Sequence, residues 1–170
     1  MKFSEIVRRA SLNTYTSQHV LKRVGEALGL PIAGRQGEHR EFSLHQAVRF
    51  AVAVKLSMGG VNVRHLPALL ELCERRVWSG RKSPPPDLPL YQQDPKRPWC
   101  LEIIEDDLVQ VQRSQGPRHL DHHDPAAHYS LAAGKIMSDF DHPAMIRQGG
   151  RAISTHRIDL TWLERQLQDP

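Results

Sequence analysis

Cysteine is scarce in this chain, with two in 170 residues. Cys73 falls in a stretch of helical spacing and Cys100 at the start of a β-like run. Two such thiols make neither a disulfide framework nor a zinc-ligand spacing, and burial as small side chains is expected for both. Long apolar runs are also missing. The longest, Phe50 to Val54, is far below the roughly 20 residues that span a bilayer. The opening Met1-Lys2-Phe3-Ser4-Glu5 lacks the apolar core and cleavage site of a secretory signal. No membrane association and a cytoplasmic setting are therefore expected. Catalytic signatures are absent too: Gly-x-Ser-x-Gly, a phosphate loop and His-Glu-x-x-His do not occur, and these are the patterns that place a nucleophile, cradle a phosphate or hold a catalytic zinc. The expectation is a protein that is not an enzyme and carries no cofactor.

What the chain does have is an uneven charge. It carries +4 overall, but residues 1–82 hold 14 of the 23 Lys and Arg and 6 of the 19 acids, a net +8, while residues 83–170 carry −4. A basic part joined to an acidic part is expected of a chain that meets a polyanion through one half.

The order of elements in the basic half points the same way. Phe3, Ile6, Val7 and Ala10 recur at helical spacing, with Ser4 and Glu5 at the positive end of the helix dipole. After a polar break at Ser11 to Thr16, a second amphipathic stretch runs from about Ser17 to Leu28. Its buried stripe is Val20, Leu21, Val24, Ala27 and Leu28, with Thr16 or Ser17 as cap and Gly29 as terminator. Arg35 to Phe42 comes next as a basic hairpin in which Gly34 and Gly37 permit tight backbone. Ser43 caps a third helix carrying Leu44, Ala47, Val48, Ala51, Val52 and Leu56, which the Gly59-Gly60 pair ends. A fourth helix is expected from Val63 to about Val77, with Leu66, Leu69, Leu70 and Cys73 on one face and Pro67 in its first turns. Helix, turn, helix, wing, helix is an arrangement that seats one helix in the major groove and steadies it with a hairpin on the backbone.

Residues 81–98 read as a Pro-rich linker. Beyond it, Trp99 to Ile104 and Leu108 to Gln112 form a predicted hairpin, His128 to Leu131 a short strand, and Ala152 to Leu160 a final strand. Thr161 or Asp159 caps a terminal helix through Trp162, Leu163 and Leu167. The expected class is α+β: an N-terminal winged helix–turn–helix domain over residues 1–80, the linker, and a small acidic α+β module over residues 99–170.

The first 75 or so residues resemble the winged helix–turn–helix domain of the MerR family of transcription regulators and its phage relatives, the excisionases and small terminase subunits. The resemblance rests on Arg35…Gly37-Glu38-His39-Arg40-Glu41-Phe42-Ser43, on Leu44…Ala47-Val48-Arg49-Phe50, and on Gly59-Gly60-Val61…Leu66. Two differences stand out. The family's Arg-Tyr-Tyr in the recognition helix is replaced by His19-Val20-Leu21-Lys22-Arg23. A Pro-rich spacer comes after the fourth helix, where the family continues into a dimerising coiled coil. The resemblance implies sequence-specific binding of double-stranded DNA, a homodimer or higher oligomer, and transcriptional regulation. The alternative is an architectural or assembly protein, excisionase-like or terminase-small-subunit-like, whose C-terminal module recruits a protein partner.

The expected DNA-binding residues are Thr16, Ser17, Gln18, His19, Lys22 and Arg23 on the second helix, with Arg35 and Arg40 on the wing. Gln18 suits adenine, Lys22 and Arg23 suit guanine or phosphate, and Thr16 and Ser17 suit phosphate. Arg35 and Arg40 suit phosphate or the minor groove. Arg8, Arg9 and Lys55 are expected as solvated charge, and Arg49 on an exposed face or in an ion pair. His119, His122, His123 and His128, with Asp121 and Asp124 between them, have the chemistry to ligate a divalent metal. The run reads as a loop with no second signature fixing its geometry, so no metal site is expected there.

Overall fold

A computed structural model describes residues 1–12, 16, 18–30, 41–77, 89–92, 98–104, 108–113, 127–137 and 154–168. The elements are α1 (Phe3–Arg9), α2 (Gln18–Ala27), α3 (Leu44–Met58), a 3₁₀ turn (Val63–His65), α4 (Leu66–Val77), β1 (Trp99–Ile104), β2 (Leu108–Arg113), β3 (Ala127–Ser130), β4 (Lys135–Met137), β5 (Ser154–Asp159) and α5 (Leu160–Gln168). The protein is mixed α+β, with five helices and one antiparallel five-stranded sheet ordered β4-β3-β2-β1-β5 among the described residues.

The third helix is the centre. Ser43 caps it: its hydroxyl accepts the Gln46 amide while the Gln46 side chain accepts the Ser43 amide. Ala47, Val48, Phe50, Ala51, Val52, Ala53, Val54 and Leu56 are all buried. A helix apolar around its whole circumference belongs in a core, and α1, α2, α4 and α5 all pack on this one. The single stripe expected from spacing omits Phe50, Ala53 and Val54. Phe50 meets Phe3 of α1, with ring centroids 5.5 Å apart.

The sheet turns one face to the helices. Leu101 of β1 lies between Val111 and Ile158, Ile103 opposite Val109, and Val109 opposite Tyr129, so period-two alternation puts these apolar side chains together. Glu102 stands on the opposite face, accepting from Gln112 Nε2 at 3.2 Å, with Arg157 Nε 3.5 Å away. The predicted hairpin and final strand are present as β1, β2 and β5, with their boundaries shifted by a few residues. β4 has no counterpart among the strands expected from the sequence. Gly134, at φ +64°, reverses the chain just ahead of it.

Helices and sheet share one hydrophobic core. Phe50, Val54, Leu69 and Leu70 from residues 1–80 belong to the same cluster as Leu101, Val109, Leu160 and Leu163 from residues 99–170. Much of the segment expected as a linker, 81–88 and 93–97, lies outside the described residues. Leu90 and Tyr91, within the same segment, are buried. The terminal helix fastens them. Glu164, itself buried, accepts the Leu90 and Tyr91 amides, each at 2.7 Å. The Thr161 hydroxyl accepts the Trp99 amide at 2.9 Å and donates to the Tyr91 carbonyl at 2.7 Å. Asp159, not Thr161, caps the helix by accepting the Trp162 amide at 2.8 Å.

Because the core is shared, the 99–170 portion cannot be removed without uncovering apolar faces of α3 and α4. A chain ending at Pro86 should therefore lose the cooperative thermal transition of the full chain; a sharp, cooperative melt from residues 1–86 would refute it. Glu164 gives a second expectation, since burial pushes its carboxyl up in pKa and the two amides only partly draw it back. Such a group takes up a proton on folding between the ordinary carboxylate range and its raised value, so stability falls as pH rises through that window. Denaturant titrations across mildly acidic pH should show a shallower fall for Glu164→Gln than for the unmodified chain.

Candidate nucleic-acid interface

The N-terminal helices are held in register by backbone pairing. Lys2 and Glu41 form an antiparallel bridge, the Phe42 amide donates to the Met1 carbonyl at 2.8 Å, and the Met1 ammonium donates to the Phe42 carbonyl at 3.1 Å. The segment entering α1 is thus joined to the residues leading into α3. On this frame α2 buries Leu21, Val24 and Gly25 and packs against α3 and the 3₁₀ turn. Val20, Ala27 and Leu28 are half-buried at the margins of the stripe.

Opposite that stripe, Gln18, His19, Lys22, Arg23 and Glu26 are exposed. The i, i+4 spacing sets Gln18 beside Lys22 and His19 beside Arg23, two short rows of donors on one surface. Lys22 Nζ lies 3.9 Å from Glu26 Oε1, with the side chains 61% and 64% exposed. A pair so loose and so wet leaves the ammonium available. Thr16 is half-buried, and its hydroxyl donates to Met58 Sδ at 3.2 Å, drawing the leading end of α2 to the trailing end of α3. Ser17, Arg35 and Arg40, expected at the same interface, lie outside the described residues, as does the segment 31–40 in which the sequence expects a hairpin.

The other cations of the basic half divide by role. Arg9 pairs with Glu5 one turn earlier and donates from Nη1 to the Leu167 carbonyl at 3.2 Å, so it ties α1 to α5. Arg49 Nη1 donates to Glu74 Oε2 at 3.0 Å across α3 and α4, the ion pair that was one of its two expected placements. Lys55 is half-buried, and burial pushes its ammonium pKa down. Arg8 is exposed.

Arg64 is a residue that sequence spacing does not single out. It is exposed, on the 3₁₀ turn that packs against α2. The available signal is the Gly59-Gly60 break, which ends α3 and makes the next residues a turn instead of a helix face. Asn62 starts that turn by accepting the Arg64 amide at 3.1 Å. Arg64 Nε donates to His65 Nε2 at 3.0 Å, and His65 Nδ1 lies 3.1 Å from the Tyr129 hydroxyl of β3. Burial and the neighbouring guanidinium hold the His65 imidazole below its ordinary pKa. Gly59 matters at the other end of the turn, because a Cβ there would stand 2.9 Å from both His156 and Ile103 on the sheet.

No group of three or more His, Cys, Asp or Glu among the described residues is placed to hold a metal. The run from His119 to Asp124 lies outside them, while His128 is buried in β3. Cys73 and Cys100 are buried free thiols, and burial pushes the pKa of both up. Among the described residues no helix is long and apolar enough to cross a membrane. No family model, curated protein or solved structure matches the chain.

An exposed lysine in a loose ion pair contributes little to folding. Lys22→Ala should therefore shift the unfolding free energy by no more than about 0.5 kcal/mol. Denaturant titration measures it, and a loss of several times that size would show that Lys22 is structural.

Proposed function

We propose that the protein is a sequence-specific, double-stranded DNA-binding transcriptional regulator whose N-terminal part acts as a MerR-like winged helix–turn–helix. The observation that carries this reading is the surface of α2: Gln18, His19, Lys22 and Arg23 stand exposed in adjacent rows on a helix whose other side is fixed to α3. Their side chains combine a bidentate amide, an imidazole and two cations, the donor set suited to base edges and phosphates in a major groove. The Lys2–Glu41 bridge supports it, since it ties down the exit of the segment in which the sequence expects a wing. Arg35 and Arg40 of that segment would position the chain on the backbone, and Thr16 and Ser17 the leading end of α2.

Regulators of this type act as homodimers or higher oligomers, and the sheet with α5 would supply that contact or one to a protein partner. Trp162, 47% exposed on α5, offers an apolar anchor for it. A second reading is an excisionase-like or terminase-small-subunit-like assembly protein. It is favoured by the antiparallel sheet that comes after α4, where the MerR-type regulators have their pairing helix. In that case the sheet docks a recombinase or motor. Co-purification with such an enzyme, or DNA bending without any effect on a promoter, separates the two.

The test is anisotropy binding to the chain's own upstream DNA and to random duplex over a salt series. With about 6–8 phosphates neutralised, log K should fall against log salt with a slope near −6, and the upstream DNA should bind more tightly. Lys22→Ala/Arg40→Ala should weaken binding by about tenfold or more and make the slope shallower by about 2. Full affinity in that double variant would overturn the site, and equal weak binding to both duplexes would overturn sequence-specific regulation.

A further inference from the structure

We infer that the turn from Asn62 to His65 is a second DNA-backbone contact beside α2, in which the Arg64 guanidinium takes a phosphodiester and His65 and Tyr129 act as positioning residues. The inference rests on the DNA-binding reading above and extends its surface to a residue from a different part of the chain.

Placement is the first support. The turn packs against α2, and the Thr16–Met58 contact brings the leading end of α2 to the end of α3 just ahead of that turn. Arg64 therefore lies on ground adjoining the proposed reading helix.

Availability is the second. Arg64 is exposed, and among the described residues no carboxylate pairs with it. Its Nε is engaged by His65, which leaves the paired Nη1 and Nη2 donors for a ligand. A planar guanidinium fork matches two phosphate oxygens. By contrast, Arg9 and Arg49 spend theirs on Glu5, Leu167 and Glu74.

Pre-organisation is the third. Arginine only donates, so His65 Nε2 is the acceptor and, in the neutral ring, Nδ1–H donates a hydrogen bond to the Tyr129 hydroxyl oxygen at 3.1 Å. Tyr129 is itself fixed between Val109 of β2 and Ile136 of β4. At the near end of the turn, Gly59 lies so close to His156 and Ile103 that the backbone rests on the sheet there as well. A guanidinium held from below gives up less rotamer freedom on binding than one on a free stem.

The experiment is anisotropy titration of the full chain with a labelled duplex over a salt series. It compares the unmodified chain with Arg64→Ala, Arg64→Gln, Tyr129→Phe and the Arg64→Gln/Tyr129→Phe double variant. Thermal melts are recorded for each. Glutamine removes the charge yet keeps an amide able to donate to His65, so it separates loss of contact from loss of fold. Both Arg64 variants should weaken binding about five- to tenfold and make the log–log slope shallower by about 1. Tyr129→Phe should weaken binding about twofold to threefold when Arg64 is present and leave binding unchanged when it is absent. Its effect on the melt should be equal in both backgrounds. Arg64→Gln with unaltered affinity and slope, in a chain that otherwise binds the duplex, overturns this inference and leaves the DNA-binding reading standing. Equal weakening by Tyr129→Phe in both backgrounds overturns the positioning roles. No duplex binding by the unmodified chain overturns the reading and this inference together.

Discussion

The burial of α3 on every side is the constraint on which the rest of the structure depends. A helix carrying Phe50, Ala51, Val52, Ala53 and Val54 in succession has no polar face to offer water, so something must cover each side. Alanine at 47, 51 and 53 lets its neighbours come close, and four helices do so. The apolar run too short for a bilayer is long enough to organise a core. Once α3 is enclosed, the orientation of α2 and the exposure of its Gln18–Arg23 surface are set.

Polar contacts then register the helices on the sheet. Glu164 and Thr161 hold Leu90, Tyr91 and Trp99, and the His65–Tyr129 contact joins the α3–α4 turn to β3. These are buried or nearly buried groups whose hydrogen bonds are individually modest but expensive to leave unmade. The same division of labour runs through the cations. Arg9 and Arg49 act within the scaffold, whereas Lys22, Arg23 and Arg64 face outward. The net charge of the first 82 residues therefore overstates the charge that an external polyanion would meet.

Local elements are legible in the sequence because their signals are local. The Ser43 cap, the Gly59-Gly60 stop, Pro67 in the first turn of α4 and the β1–β2 hairpin all depend on a few neighbouring residues and their spacing. The features that are not legible depend on partners far away in sequence. A stripe count assumes one covered face, so it omits the second side of α3. Proline content in 81–98 suggests a spacer, but Leu90 and Tyr91 are held by a helix that begins at residue 160. β4 has three residues and no buried side to alternate with. For the proposed interface, the outward rows of α2 come from periodicity alone, while Arg64 is marked only by the contact between its turn and α2.

The Arg9–Leu167 hydrogen bond joins positions 158 residues apart, and α5, which covers α3, begins roughly a hundred residues after α3 ends. Contacts this distant in sequence make for slow folding, because most of the chain must be gathered before the final partner arrives. During synthesis at about 5–20 residues per second, the side of α3 that α5 will cover is made several seconds before its cover. Over that interval the nascent chain presents an uncovered Ala/Val/Phe surface. The late arrival of α5 thus creates a period of exposure to chaperones, and to self-association when they are scarce.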